Sequence, residues 1–571
     1  MTPTWTKFYD FVPEHLEYPE KTLYETFKAA AYKHRYRAAI DYYGARMRFD
    51  TLLDRVGAVS NVLVNLGVRK GDRVGVCLPN LPSAASLFYA VSRLGAVCVM
   101  IHPLSSSDEI AQIVRETGMN TLFLTDVALP RHQKTLAECG VHNAVCVSLW
   151  EDAPLFKRPF IRRAAVKRAG LSTTPECPNL LREMVKLSDF KNKTLDTPTD
   201  PVNDTAVILY SGGSSGRPKG IRLSSFNFNA LAYQVCSQVD DWPQDPSMMA
   251  ILPFFHGFGL GVCLHAALIH GITSVMMAQF SARGFLDILR KKKPNVITGV
   301  PTLYEAILRE KKAKIGDLSF LRGVFCGGDA CPASLKKRFN KFLEEHGASV
   351  RLKEGYGLTE TVTACVVTPP NHEREGAVGV PLPDVYVKIC KAKSEEEMPT
   401  GRIGEILVSS PTLMLGYLDE QDTAAVLSRH ADGRTWLRTG DLGRMDADGY
   451  LYFTGRIKRV VKVSGFPVYP DLIEEVIGAI SGVERVCCIA VPDPYKMNVI
   501  KAIVVPTDKT VDPKAFARKV MDTAARYLNV YARPRRIELT ASLPLTKVGK
   551  VNYLAVEMAE RKKQQAKAEM E

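Results

Sequence analysis

The chain has 571 residues, 46% of them hydrophobic and 24% charged, with 75 basic against 61 acidic side chains and a net charge of +14. That is ample length for a large core and at least two domains in an ordinary globular protein. No nucleic-acid motif accompanies the charge, and the basic residues are mostly scattered, so nucleic acid is excluded as a partner and polyanionic ligands or a membrane surface remain. The 13 cysteines lack zinc spacing and mostly sit in apolar runs, as Cys77, Cys98, Cys263, Cys487 and Cys488 do. Reduced, buried thiols in a cytoplasmic protein are the simplest account. Cys326 and Cys331 have no further ligands beside them, and the opening residues do not form a signal peptide.

Residues 1–50 read as an entry segment with short strands, including 38–43. Leu52, Leu53, Val56, Val59, Val62, Leu63 and Leu66 then recur at helical spacing. A strand at 73–78, a helix at 84–94, a strand at 96–101, a helix at 108–116 and a strand at 121–124 follow. Alternation of this kind builds a parallel sheet covered on both faces. Residues 150–193 break the rhythm. Within them Lys157, Arg158, Arg162, Arg163, Lys167 and Arg168 alternate with apolar residues. Two readings stand for this stretch: a solvated surface helix, or an interfacial helix on anionic lipid.

A short apolar run at 206–209 leads into Tyr210, Ser211, Gly212, Gly213, Ser214, Ser215, Gly216, Arg217, Pro218, Lys219 and Gly220. Glycines bring the backbone close to a ligand, serine hydroxyls and exposed N–H groups bind phosphate oxygens, and the cations add charge. The register of the P-loop motif fails here. Gly212 to Gly216 also matches Gly-x-Ser-x-Gly, but a nucleophile elbow must run into a helix. Here Pro218, Gly220 and a strand-like 221–223 follow instead, which argues against a serine hydrolase.

Residues 248–280 contain no Asp, Glu, Lys or Arg, yet Pro253, His256, His265, His270 and several glycines interrupt them. A membrane-spanning helix needs about 20 continuous apolar residues, so this stretch reads as a strand, a loop and a helix inside a core. Strands at 274–277, 296–299 and 323–325 alternate with helices at 284–291, 302–312 and 332–346, a second doubly wound unit. Ligands of such sheets bind beyond the carboxyl ends of the strands. Short β segments at 386–389, 404–408 and 450–453 predict a β-rich subdomain, and 456–470 reads as a joint. Helices at 471–480 and 512–527 and strands at 483–491, 501–505 and 535–539 make a small α+β domain. Residues 557–571 read as a frayed helix or disordered tail. The expected fold is therefore α/β: two doubly wound sheets and a β-rich subdomain in residues 1–457, then a mobile α+β domain in 458–571.

Several stretches together, in order over nearly the whole chain, resemble the adenylate-forming superfamily. They are the loop at 210–220, Phe255-His256, Gly327 to Ala330, Tyr356 to Glu360, Thr439 to Asp441, Gly455 to Lys458, Ser464-Gly465 and Lys547 to Lys550. Residues 298–302, 354–360 and 464–470 are most similar to fatty acyl-CoA synthetases of the long-chain type. The resemblance implies a reaction in two halves using ATP, Mg²⁺ and CoA. A carboxylate is ionised at neutral pH, its ordinary pKa being about 4, so the difficulty is bringing it against a triphosphate, which cations relieve.

By that resemblance Ser211, Gly212, Gly213, Ser214, Ser215, Gly216 and Lys219 hold the β and γ phosphates, Thr359 contacts the α-phosphate and Glu360 helps bind Mg²⁺. Tyr356 and Gly357 meet adenine beside Gly328, Asp329 and Ala330, and Asp441 and Arg456 hold the ribose. Lys550 is the mobile cation bridging carboxylate and α-phosphate. His256 lines or gates the acyl pocket with Phe258, Gly299 and Val300, and Phe254, Phe255 and Leu260 add apolar surface near it. The small domain turns about Lys458, withdrawing Lys550 and presenting Ser464 and Gly465 to the thiol arm of CoA, with Lys462 assisting adenylation.

Ser225, Asp329 and the pair Met497-Asn498 depart from the family's usual residues, the last pair making the thiol acceptor less determined than adenylation. The expected substrate is a medium- or long-chain fatty acid. A free-standing ligase that loads a carrier-protein thiol is the rival reading, and a luciferase-like oxidase or a non-catalytic nucleotide-binding module stands further off. The expected location is cytoplasmic, with peripheral contact on an anionic membrane and pairing into a homodimer both open.

Overall fold

The computed structural model describes residues 3–187, 197–210, 218–310, 315–463, 466–493, 497–546 and 549–568. Local signals place many of its helices. Thr22 and Glu25 cap one another reciprocally at the start of Leu23–Lys33, and Ser106 and Glu109 do so at Ser107–Thr117. Pro82 and Pro301 open Pro82–Arg93 and Pro301–Arg309, where a missing N–H costs nothing.

The first doubly wound unit holds a seven-stranded sheet. From one edge its strands are Gly416–Tyr417, Gly220–Ser224, Thr205–Tyr210, Val97–Met100, Arg73–Cys77, Thr121–Thr125 and Asn143–Val147. The last five run parallel, and Gly220–Ser224 is antiparallel to Thr205–Tyr210, with Tyr210 opposite Gly220. The glycine-serine loop therefore joins two hairpin strands, which agrees with the argument against a nucleophile elbow. Helix Leu129–Glu138 and strand Asn143–Val147 extend this unit beyond the sequence reading.

The second unit is a nine-stranded sheet. Its parallel centre consists of Leu352–Tyr356, Gly323–Cys326, Val296–Gly299, Ser247–Ala250, Thr273–Met276 and Ala38–Tyr42, in that order. The entry segment thus supplies a strand to the far unit, Ile40 pairing with Ser274. Between strands Ser247–Ala250 and Thr273–Met276 the chain is helical, as the sequence predicts, but its first nine residues, Phe258–Ala266, form a wide i→i+5 helix.

The β-rich part is a five-stranded antiparallel sheet. Its longest strand, Thr435–Met445, is absent from the sequence reading and carries Asp441. The C-terminal part packs helices Pro470–Gly478, Pro513–Tyr527 and Tyr553–Ala568 on strands Val483–Asp493, Met497–Pro506 and Arg536–Leu539. It has its own apolar clusters on the two faces of that sheet. The final helix begins earlier than expected and is docked rather than frayed: Val556 and Glu560 are buried, and Glu560 pairs with Lys501 at 2.6 Å.

Candidate active site

Strands Gly323–Cys326, Val296–Gly299 and Leu352–Tyr356 end side by side, and the chain leaves each of them through an expected site segment: Gly327 to Ala330, Val300 and Gly357 to Glu360. Parallel strands aim their carboxyl ends the same way, so three distant stretches converge. They open on a cleft of about 2510 Å³ whose walls also come from the small domain.

Tyr356 donates from its hydroxyl to Asp441 Oδ2 at 2.9 Å, and Arg456 Nε lies 3.4 Å from Asp441 Oδ1. Asp441 and Arg456 face one another on paired strands. Burial lifts the Asp441 carboxyl to about 6, against the opposing pull of Arg456 and the Tyr356 hydroxyl. Gly328, Asp329 and Ala330 line the same wall, and Val300 Cγ1 stands 3.5 Å from where a Gly328 Cβ would lie.

Thr359 and Glu360 sit on the short turn Thr359–Thr361, and the Tyr417 hydroxyl donates to Glu360 Oε1 at 2.7 Å. The turn ends at Val362, a buried β-branched residue with φ 60° and ψ −55°. That region costs of order 1–3 kcal/mol for a non-glycine residue, strain that tight surroundings must hold. Two glycines provide those surroundings. A Cβ at Gly257 would lie 1.7 Å from the Val362 carbonyl oxygen, and one at Gly357 would lie 1.5 Å from that of Thr363. Only glycine lets these backbones meet.

Lys219 closes this side of the cleft. Its ammonium pairs with Asp422 at 2.7 Å and lies 4.9 Å from the Tyr417 ring centroid. Tyr417 and Asp422 escape sequence reasoning, since Tyr417 sits on a two-residue strand with no periodic signal. Ser211, Gly212, Gly213, Ser214, Ser215 and Gly216 lie outside the described residues, as do Ser464 and Gly465.

From the small domain, Lys550 reaches the cleft. Burial and Arg456 push its ammonium below the usual lysine range, while Asp329 and Asp441 hold it up. Its turn meets the large domain at Thr302, whose Oγ1 is 3.6 Å from where a Gly549 Cβ would be. His256 is lowered to about 4 by burial and by the nearby Lys550 charge, so it is neutral at pH 7. Its Nδ1 accepts from the Phe258 N–H at 3.2 Å, which suits a wall residue and not a base.

Lys458 lines the cleft but is exposed. Lys462 is exposed on the hairpin strand Val461–Val463 and is not brought to the cleft. Gly299 packs on the Tyr304 ring just behind the wall. Phe254 and Leu260 point into the core and do not line the cleft, since their strand-to-helix corner turns them inward.

The cleft continues beyond Phe258 as an apolar lane under the nine-stranded sheet. Pairing puts Met248, Val296 and Gly323 in one row and Thr298 and Phe325 in the next. Period-two alternation turns Met249, Ile297 and Val324 to the opposite face, where they join a different apolar cluster. Across the lane stand Val262, Val235, Val239 and Trp242, whose Nε1 donates to the Cys236 carbonyl at 3.5 Å.

Among the described residues no three His, Cys, Asp or Glu side chains cluster to hold a metal. A single carboxylate fits Mg²⁺, which keeps waters and takes its other ligands from substrate phosphates, and Glu360 stands beside Tyr417, whose ring Lys219 covers.

Fold and cleft together define an adenylate-forming enzyme, in which a cation-rimmed cleft between the strand ends is completed by the C-terminal part of the chain. The chain belongs to the AMP-binding enzyme family: that family's model matches residues 27–418, and the AMP-binding enzyme C-terminal domain matches residues 472–550. It is 29% identical over 564 residues to a long-chain-fatty-acid–CoA ligase of Bacillus subtilis (strain 168), covering 96% of each chain. It is also 29% identical over 515 residues to a feruloyl-CoA synthase of Amycolatopsis sp, covering 90% of this chain and 94% of that one. Among solved structures, the anthranilate CoA ligase AuaEII in complex with anthranoyl-AMP has the same fold, with TM-score 0.81 at 23% identity over 95% of this chain and 98% of that one. So does ATP-bound MatB from Rhodopseudomonas palustris, with TM-score 0.79 at 24% identity over 94% and 99%.

Proposed function

We propose that the protein is an AMP-forming acid–thiol ligase joining a medium- or long-chain fatty acid to CoA. The observation that carries the choice of acid is the apolar lane running from Phe258 and Thr298 to Trp242. Each methylene buried there contributes about 0.8 kcal/mol, and the one hydroxyl among the named residues of the strand rows, that of Thr298, already lies 3.1 Å from Cys263 Sγ, which leaves a second carboxylate no welcome.

In the first half-reaction a carboxylate oxygen attacks the α-phosphorus of ATP and pyrophosphate leaves. Lys550 holds the two negative partners together, and Thr359 steadies the α-phosphate. Lys219 and the 211–216 loop grip the departing end. Glu360 would hold Mg²⁺, which neutralises triphosphate charge. Tyr356, Asp329 and Asp441 orient the nucleoside. In the second half the CoA thiolate attacks the acyl carbon, AMP leaves and the thiol proton passes to solvent. For that step the domain comprising 458–571 swivels about Lys458, carrying Lys550 away and bringing Ser464 and Gly465 round.

The experiment is purified protein with ATP, Mg²⁺, CoA and a graded series of carboxylic acids, products read by mass. AMP, pyrophosphate and acyl-CoA are expected, with kcat/KM rising roughly fourfold per methylene until the chain meets Trp242. Trp242→Ala should move that limit to longer acids. Adenylate without CoA ester would favour carrier loading, and no AMP from any acid would end the reading.

The reading includes a place of work at an anionic bilayer. No described helix is long and apolar enough to cross a membrane. Helix Arg158–Arg168 supports surface contact instead. It buries no side chain fully, and Leu155, Phe156 and Phe160 are 76%, 71% and 76% exposed amid six cations. Residues 154–170 contain no acidic side chain.

A further inference from the structure

Lys550 closes a narrow turn, opposite Thr546. Leu545 bridges Val551, the Thr546 N–H donates to the Lys550 carbonyl at 2.6 Å, and the Lys550 N–H donates to Thr546 Oγ1 at 3.1 Å. The Asn552 N–H closes the stem on the Pro544 carbonyl at 2.8 Å. Three residues past the lysine, Tyr553 opens the last helix. Its hydroxyl donates to Glu474 Oε2 at 3.2 Å, and its ring centroid lies 3.6 Å beneath the Arg459 Cζ.

Arg459 ends Ile457–Arg459, the short helical turn that joins the two parts of the chain. Its guanidinium grips both Glu474 oxygens, Nη2 to Oε1 at 2.7 Å and Nη1 to Oε2 at 3.2 Å. It also contacts Asp471 and donates to the Cys488 carbonyl at 3.3 Å. The Cys488 N–H donates to Glu474 Oε1 at 2.6 Å, which fixes the carboxylate from the sheet side. The Arg459 and Glu474 side chains are only 14% and 12% exposed. A planar fork held between an aromatic face and a two-oxygen acceptor has little freedom left.

We propose that Arg459, Glu474 and Tyr553 form a strap that sets the Lys550 turn relative to the inter-domain joint, so that Arg459 and Tyr553 are positioning residues for adenylation. The proposal rests on the ligase reading and on the placement of Lys550 in its first half-reaction. A cation displaced by about 1 Å from the reacting oxygens costs on the order of a hundredfold in rate, so the stem that aims it matters as much as its charge. The strap belongs wholly to the small domain and the joint, and it travels with that domain. Thiol transfer, which does not use Lys550, has no need of it.

The test separates the half-reactions: pyrophosphate release from acid and ATP without CoA, and CoA-ester formation from supplied acyl-AMP. Tyr553→Ala should lower the kcat of the first at least tenfold, with the KM for ATP and the rate of the second within twofold of wild type. Tyr553→Phe keeps the ring and loses one hydrogen bond, so about a threefold fall is expected. Arg459→Lys keeps the charge and loses the fork, and should resemble Tyr553→Ala. Equal losses in both half-reactions would reduce the cluster to a folding role and overturn the proposal. Wild-type rates in both would overturn it as well. If Tyr553→Ala does not fold, the two conservative variants decide. Should wild type release no pyrophosphate, the ligase reading fails. Should Lys550→Ala alone block release while the strap variants are normal, only the strap fails.

Discussion

Asp441 shows what one buried carboxyl costs. Its side chain is 5% exposed, and its folded pKa is lifted from 3.8 to about 6, chiefly by burial. The folded protein therefore binds a proton at this position between those values and the unfolded chain does not. The contribution to stability is fully present below pH 3.8 and is lost as pH rises through 6. Above that, the ionised group costs roughly 1–3 kcal/mol. Asp441→Asn should raise the stability to urea at pH 8 by about that amount and flatten its decline between pH 4 and 6, while pyrophosphate release falls sharply. No gain in the denaturation midpoint at pH 8 would refute the account. The motif containing Asp441 was legible in the sequence, but its hydrogen bond to Tyr356 was not. The two are 85 residues apart, and the strand that presents Asp441 has no alternating pattern to announce it.

Helix Arg158–Arg168 shows how an element can be read correctly and still be undecided. Its helical form was legible from composition. Which side faces outward was not, because its apolar residues fall on both faces. Ile161 packs on the core, and the Lys157 ammonium and Arg158 Nε tie its start to the Tyr43 and Ala153 carbonyls. That anchoring leaves Phe156, Phe160, Arg163 and Lys167 outward on one face. Co-sedimentation with phosphatidylglycerol-containing vesicles at low salt is expected, and its loss on pure phosphatidylcholine or in high salt. Arg163→Ala should weaken binding about fivefold, a cation near such a surface being worth about 1 kcal/mol. Phe156→Ser with Phe160→Ser should weaken it further. Failure to sediment at low salt, or indifference to both changes, would remove the bilayer from the reading.

At the scale of the whole molecule, alternation of helices and strands revealed two doubly wound units but not how they share strands. Pairing across more than 200 residues, as between Ile40 and Ser274, leaves no local trace. The contacts between the domains were equally hidden, and they bear on how the enzyme divides its time. Arg309 Nη1 on the large domain reaches Glu484 Oε1 on the small one at 3.0 Å, while Glu305 holds Arg309 from behind at 3.0 Å. If the small domain swivels, this pair breaks each time. Its partners are 45% and 24% exposed, so it is worth at most about 1 kcal/mol, screened further by salt. A latch of that size biases the two arrangements without freezing either. Glu484→Gln should therefore lower pyrophosphate release by no more than about fivefold and leave or slightly raise the rate of thiol transfer from supplied acyl-AMP. In wild type, raising NaCl should reproduce the shift, and in Glu484→Gln the salt effect should shrink. A parallel fall in both half-reactions, or an undiminished salt effect in the variant, would show that the pair is only a surface contact.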